Sequence, residues 1–137
     1  MSTIQQPRGI RNHNPGNIRH NPANKWRGLS AEQADTDFAQ FDTPEFGIRA
    51  LCVLLRNYEI RHGLNTVRGI ISRYAPPCEN NTDAYIDHVC KALGVSADDV
   101  LDLNSEAVMM PLVKSIILHE NGIQPYTDGQ IQTGMQT

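Results

Sequence analysis

The run Pro111-Leu112-Val113-Lys114-Ser115-Ile116-Ile117-Leu118-His119-Glu120-Asn121-Gly122 carries apolar side chains on more than one helical face. Val108, Leu112 and Ile116 recur every four residues, Val113 and Ile117 recur beside them, and Leu118 adds a third direction. A face that broad predicts a buried central helix rather than a surface one. Gly122 suits the left-handed turn that closes a helix, and Asn121 suits it too. Glu120 then falls on the last turn, where the negative end of the helix dipole opposes its charge and apolar neighbours oppose its solvation. Both effects raise its pKa, which is what a general acid working near neutral pH needs. Spacing alone leaves a second reading open, in which Glu120 is a solvated residue at a frayed helix end.

Upstream of this helix, start and stop signals mark three more. Asp42-Thr43-Pro44-Glu45 is a helix start, with a capping side chain, proline in the first turn and acid at the positive dipole end. Ile48, Leu51, Cys52, Leu55 and Tyr58 mark one face to about Arg61, and Gly63 stops it. A second helix starts at the Thr66 cap and carries Val67, Ile70, Ile71 and Tyr74, ended by Ala75-Pro76-Pro77. After the polar loop Cys78-Glu79-Asn80-Asn81, Thr82 is expected to cap a third helix through Tyr85, Ile86, Val89 and Leu93, closed by Gly94. Ser96 begins a short turn. Ser105 caps the central helix, which Pro111 is expected to kink or restart.

The N-terminal third reads differently. Arg8-Gly9-Ile10-Arg11-Asn12-His13-Asn14-Pro15-Gly16-Asn17-Ile18-Arg19 holds Asn-Pro and Pro-Gly turn signals that argue against helix. Its asparagines suit either a polar ligand or their own backbone. Residues 17–42, with Trp26, Gly28, Phe38 and Phe41, predict a small irregular β-hairpin or three-stranded lobe. Residues 1–7 and 127–137 are expected to be loose tails of a single domain spanning 1–137. The fold class is mainly α with a small irregular β lobe.

The totals exclude several classes. With 137 residues, 39% hydrophobic and a net charge of −3, the chain can bury one core, and its bulk charge is not that of a nucleic-acid binder. Cys52, Cys78 and Cys90 are an odd number at unpatterned spacing, so thiols made in a reducing cytoplasm are expected. No signal-peptide pattern opens the chain and no run reaches membrane-spanning length. The five histidines are scattered, without metal-ligand spacing, so neither metal nor cofactor is expected. A thiol nucleophile needs an electropositive setting, and Cys78 beside Glu79 has the wrong neighbouring charge; no glycine-rich phosphate loop follows a strand. What remains is a carboxylate on a buried helix, an asparagine-rich loop, and the segment Tyr74 to Tyr85 with Glu79, Asn80 and Thr82. Amides, hydroxyls and aromatic rings suit a neutral, hydroxyl-rich ligand such as a sugar chain, although capping explains Thr82 and core packing explains the tyrosines.

Several motifs in order carry a resemblance: Gly9-Ile10-Arg11-Asn12-x-Asn14-Pro15-Gly16-Asn17-Ile18-Arg19, Trp26-x-Gly28, Phe41-Asp42-Thr43-Pro44-Glu45-x-Gly47-Ile48-Arg49-Ala50, Ala75-Pro76-Pro77-x-Glu79-Asn80-x-Thr82-x-x-Tyr85-Ile86 and His119-Glu120-Asn121-Gly122. Over about residues 8–126 they resemble phage and prophage virion proteins of the "structural protein P5" type, a label that states no chemistry. A second, weaker resemblance is to flagellar-type glucosaminidases and related lysozyme-like enzymes, in which a helix ending in a catalytic glutamate precedes an Asn-Leu-Phe-Gly-Ile-Lys-like strand, a β lobe with Trp-x-Gly and an aromatic strand leading into a further helix. Here Asn17-Ile18-Arg19, Trp26-x-Gly28 and Phe38 to Ile48 look like the downstream parts, while the matching helix comes last. That order implies a lysozyme-like, circularly permuted fold.

The resemblance implies a phage-derived peptidoglycan glycosidase or lytic transglycosylase cutting β-1,4 bonds. Glu120 is the expected acid, Glu45 the second carboxylate with Asp37 in reserve, and Asn14, Asn17, Tyr74, Glu79, Asn80 and Tyr85 the groove lining. The expected partners are peptidoglycan glycan strands and other virion proteins, with no nucleic acid and no membrane, and the protein is expected to be monomeric. It is expected to be made in the host cytoplasm and to act at the cell wall after release or as part of the virion. The alternatives are a non-catalytic virion or wall-binding module and, further off, a nucleic-acid-contacting regulator.

Overall fold

The computed structural model describes residues 6–137, so the expectation for residues 1–5 lies outside it. Thr43 caps helix α2 (Pro44–His62), its Oγ1 accepting from the Phe46 amide at 3.4 Å, and Gly63 ends it with φ 67°. Thr66 caps α3 (Val67–Tyr74) in the same way. Helix α4 (Thr82–Leu93) departs from expectation by one residue: Asn81 is the cap, and the Thr82 hydroxyl instead donates to the Ala75 carbonyl at 2.5 Å. That bond ties the end of α3 to the start of α4.

Helix α5 (Glu106–Asn121) is the central element, packing against α4 and α2. Leu112, Val113, Ile116 and Ile117 have no exposed surface, and each such burial contributes about 1.5–3 kcal/mol. Leu118, read as a third buried direction, is 39% exposed, so the apolar face is narrower than the sequence implies. Pro111 does not restart the helix; α5 runs through it. Ser105 sits at the N-cap without a side-chain bond.

Two expectations fail at the ends. Residues 8–11 form a short helix, α1 (Arg8–Arg11). The restriction that proline imposes falls on the residue before it, Asn14, and does not reach back that far. The segment from Thr127 is no loose tail but helix α6 (Asp128–Gln136), which packs along α2. Thr127 Oγ1 accepts from the Gln130 amide at 3.2 Å while Gln130 Oε1 accepts from the Thr127 amide at 3.0 Å, a reciprocal capping box. Ile131 is fully buried, and a Cβ on Gly134 would lie 2.6 Å from Ile48 Cγ2.

The lobe of residues 17–42 contains no strand, only the antiparallel bridges Arg19–Phe38 and Leu29–Phe41. Side chains replace the missing ladder. Gln40 Oε1 accepts from the amides of Ala34 at 2.6 Å and Asp35 at 3.2 Å, and Gln33 Nε2 donates to the Gln40 carbonyl at 2.8 Å. Backbone groups satisfied this way have no need of a neighbouring strand. A second small core of Ile18, Ala39 and Phe41 seats the lobe on Ala50 of α2, with Phe46 and Leu54 beside it. Gly28, at φ 81°, lets the chain pass Phe46, where a Cβ would stand 2.1 Å from Cγ.

Candidate functional site

Glu120 ends up where the sequence puts it, in the last turn before Gly122, whose φ of 74° closes α5. Two donors from distant segments hold its carboxyl. Asn17 Nδ2 donates to Oε1 at 3.2 Å, and the Tyr85 hydroxyl donates to Oε2 at 3.1 Å. Burial raises the Glu120 pKa above the ordinary carboxylate value, and the two hydrogen bonds partly offset it. The result is a desolvated carboxyl with both oxygens oriented.

The two holders are themselves fixed. Asn17 adopts a left-handed backbone with φ 51°, a conformation asparagine tolerates better than most residues. It follows the turn that Asn14 locks. Asn14 is fully buried, its Nδ2 donating to the carbonyls of Ile18 and Ala39 at 2.9 Å each and its Oδ1 accepting from the Ile18 amide at 3.0 Å. Asn121 adds a clamp from the other side, donating to the Pro15 carbonyl at 2.8 Å. Tyr85 is buried on α4, and its ring stacks on His119 with centroids 3.7 Å apart and planes 21° apart. Burial, and then the neighbouring His88, lower the His119 pKa.

The carboxyl opens into a groove of about 640 Å³, a size typical of small-ligand sites. Asn17, Tyr74, Glu79, Asn80 and Glu120 all line it. Tyr74 anchors one wall, its hydroxyl donating to the Gly16 carbonyl. Trp26 also lines the groove, and its buried indole N–H has no partner. Asn17 Oδ1 is likewise buried and unpartnered. Both are polar atoms with hydrogen-bonding capacity to spare.

Three expected site residues lie elsewhere. Asn14 is buried structure beneath the loop, and Tyr85 lies under the carboxyl rather than along the groove. Glu45, in the first turn of α2, accepts from Gln130 of α6 at 3.5 Å and takes no part in the groove lining. Its acidic position at a helix start is explained by capping electrostatics. The reserve, Asp37, accepts from Arg8 Nη2 at 3.1 Å and is also outside the groove.

No protein-family model matches the chain. Over 131 residues, covering 94% of this chain and 80% of the relative, it is 36% identical to Protein P5 of Pseudoalteromonas phage PM2. The chain belongs to the P5 family of phage proteins. In this P5-family chain, among the described residues, no helix is long and apolar enough to cross a membrane and no cluster of three metal-ligating side chains occurs. Cys52, Cys78 and Cys90 are free thiols, and burial pushes Cys52 up to about 11.

Sequence reasoning missed several groove residues. Tyr58 reads as core by its helical spacing and does pack on the core, yet its ring also reaches the groove. Arg19, Asn21, Asn24 and Phe38 sit in the irregular lobe, where no periodicity assigns a face. The one available signal was the concentration of asparagines either side of Pro22, more than a turn needs.

Proposed function

We propose that this P5-family protein cleaves β-1,4 glycosidic bonds of peptidoglycan, as a lysozyme-like enzyme whose chain order is rearranged. The observation that carries the reading is the half-buried carboxyl of Glu120, held by Asn17 and Tyr85 and opening into a groove lined by amides and aromatic rings. A carboxyl whose pKa is raised by desolvation is suited to give its proton to the glycosidic oxygen as the bond breaks. The carboxylate left behind then serves as base, towards water in hydrolysis or towards the sugar's own hydroxyl in the lytic reaction. Glu79 is the other acidic residue lining the groove. It is exposed and supplies negative charge beside the cationic transition state. Trp26, Tyr74 and the asparagines bind sugar faces and hydroxyls. The protein would meet its substrate at the cell wall, either released from the host or carried on the particle.

A second reading, a non-catalytic virion or wall-binding component, is favoured by the similarity to a phage protein whose name carries no activity. Incubation of the purified protein with peptidoglycan sacculi separates the two. The first reading expects soluble muropeptides, with anhydro ends if the reaction is lytic and reducing ends if it is hydrolytic. Sedimentation with the sacculi without any soluble product would establish the second reading instead.

A further inference from the structure

Two arginines flank the Phe38 ring, and their circumstances differ. Arg8 lies 4.8 Å from its centroid and Arg19 lies 4.9 Å from it. Arg8 is fully engaged, with Nε and Nη2 donating to Asp35 at 2.6 and 2.5 Å and Nη2 also reaching Asp37 at 3.1 Å. Among the described residues, Arg19 has neither an ion pair nor a side-chain hydrogen bond, and its guanidinium rests on the Phe38 ring. It is exposed and lines the same groove as Glu120.

The backbone dictates that position. Arg19 and Phe38 are partners in an antiparallel bridge, bracketed by hydrogen bonds from His20 N to Asp37 O at 2.9 Å and from Ala39 N to Ile18 O at 3.0 Å. Directly opposed residues share a face and touch. A guanidinium resting on an aromatic ring is restrained while its edge keeps its N–H donors free. That edge matches a carboxylate, which takes two parallel bonds from arginine and gains charge assistance as well. Asn21, Asn24 and Asn80 along the groove offer uncharged amides, which suit neutral sugar hydroxyls. They do not account for an unpaired, stacked cation.

We infer that Arg19 is an anion subsite of the groove, docking a carboxylate borne by the glycan. The ligand is therefore an acidic, peptide-substituted glycan in preference to a neutral one. This rests on the glycan reading above and extends it to substrate choice.

The test is calorimetric titration of the full chain with two probes: soluble disaccharide-peptide fragments of peptidoglycan, and neutral β-1,4-linked N-acetylglucosamine oligomers. Wild-type protein favours the peptide-bearing probe. Arg19→Gln reduces that preference by about tenfold, and Arg19→Lys, which keeps the charge and loses the fork, retains part of it. Thermal unfolding of each variant verifies that the lobe is intact. A preference unchanged in Arg19→Gln, or a wild type that binds the two probes equally, overturns the subsite. A wild type that binds neither probe overturns the subsite and the glycan reading together. Binding preference that depends on Arg19 without any cleavage sustains the subsite and removes only the glycosidase reading.

Discussion

The Tyr85 hydroxyl donates to Oε2 of Glu120 at 3.1 Å, joining α4 to the end of α5 at the wall of the groove. This bond favours the charged carboxylate and so opposes burial, the larger influence on Glu120. Tyr85→Phe keeps the ring that stacks on His119 and removes only the donor. The expected outcome is a Glu120 titration at higher pH than in wild type, read from the side-chain carboxyl carbon by NMR. A titration at or below the wild-type value contradicts this arrangement.

Asp35 fastens the N-terminal helix to the lobe. Its side chain is 9% exposed, and the Arg8 hydrogen bonds, aided by Asn12 and by the amides of Asp37 and Phe38, hold its carboxyl well below the usual carboxylate range. A folded value below the unfolded one stabilises the fold above the unfolded pKa and loses that contribution as pH falls through the folded pKa. Asp35→Asn should therefore lower the melting temperature at neutral pH by several degrees. The gap from wild type should close progressively below about pH 4. A gap that stays constant into strong acid shows that the ion pair is not its source.

Helix α6 is docked rather than appended. Ile131→Ala removes a fully buried side chain facing α2 and should cost about 3 kcal/mol in urea unfolding. A loss below about 0.5 kcal/mol, the range of surface substitutions, shows that the helix contributes nothing to the core.

The helices were legible because their signals are local. Thr43 with Pro44, Thr66, Gly63, Gly94 and Gly122 mark ends by chemistry confined to one turn. Helix α6 was hidden because a Gln-, Thr- and Gly-rich composition imitates a tail; only Ile131 and the Thr127–Gln130 pair gave it away. Residues 17–42 offered aromatic alternation that imitates strands, yet Gln33, Gln40 and Asp35 satisfy the backbone without a ladder. Glu120 stood out because an acid at the end of a broad apolar helix conflicts with its surroundings. Asn14 and Asn17 belong to one motif, and spacing does not tell which amide faces inward: Asn14 became scaffold and Asn17 reached the carboxyl. Glu45 lies outside the groove, a placement its sequence could not show, because a capping acid and a catalytic acid look alike there.

Glu120→Gln tests the central claim most directly. The folded pKa of Glu120 is raised, so its stabilising contribution is complete at low pH and is lost as pH rises through that value. Glutamine carries no such pH-dependent loss, so the variant should melt within a few degrees of wild type in acid and no lower than wild type at alkaline pH. Release of soluble muropeptides from sacculi should fall at least about 100-fold. Release at the wild-type rate by a folded Glu120→Gln protein would contradict the account.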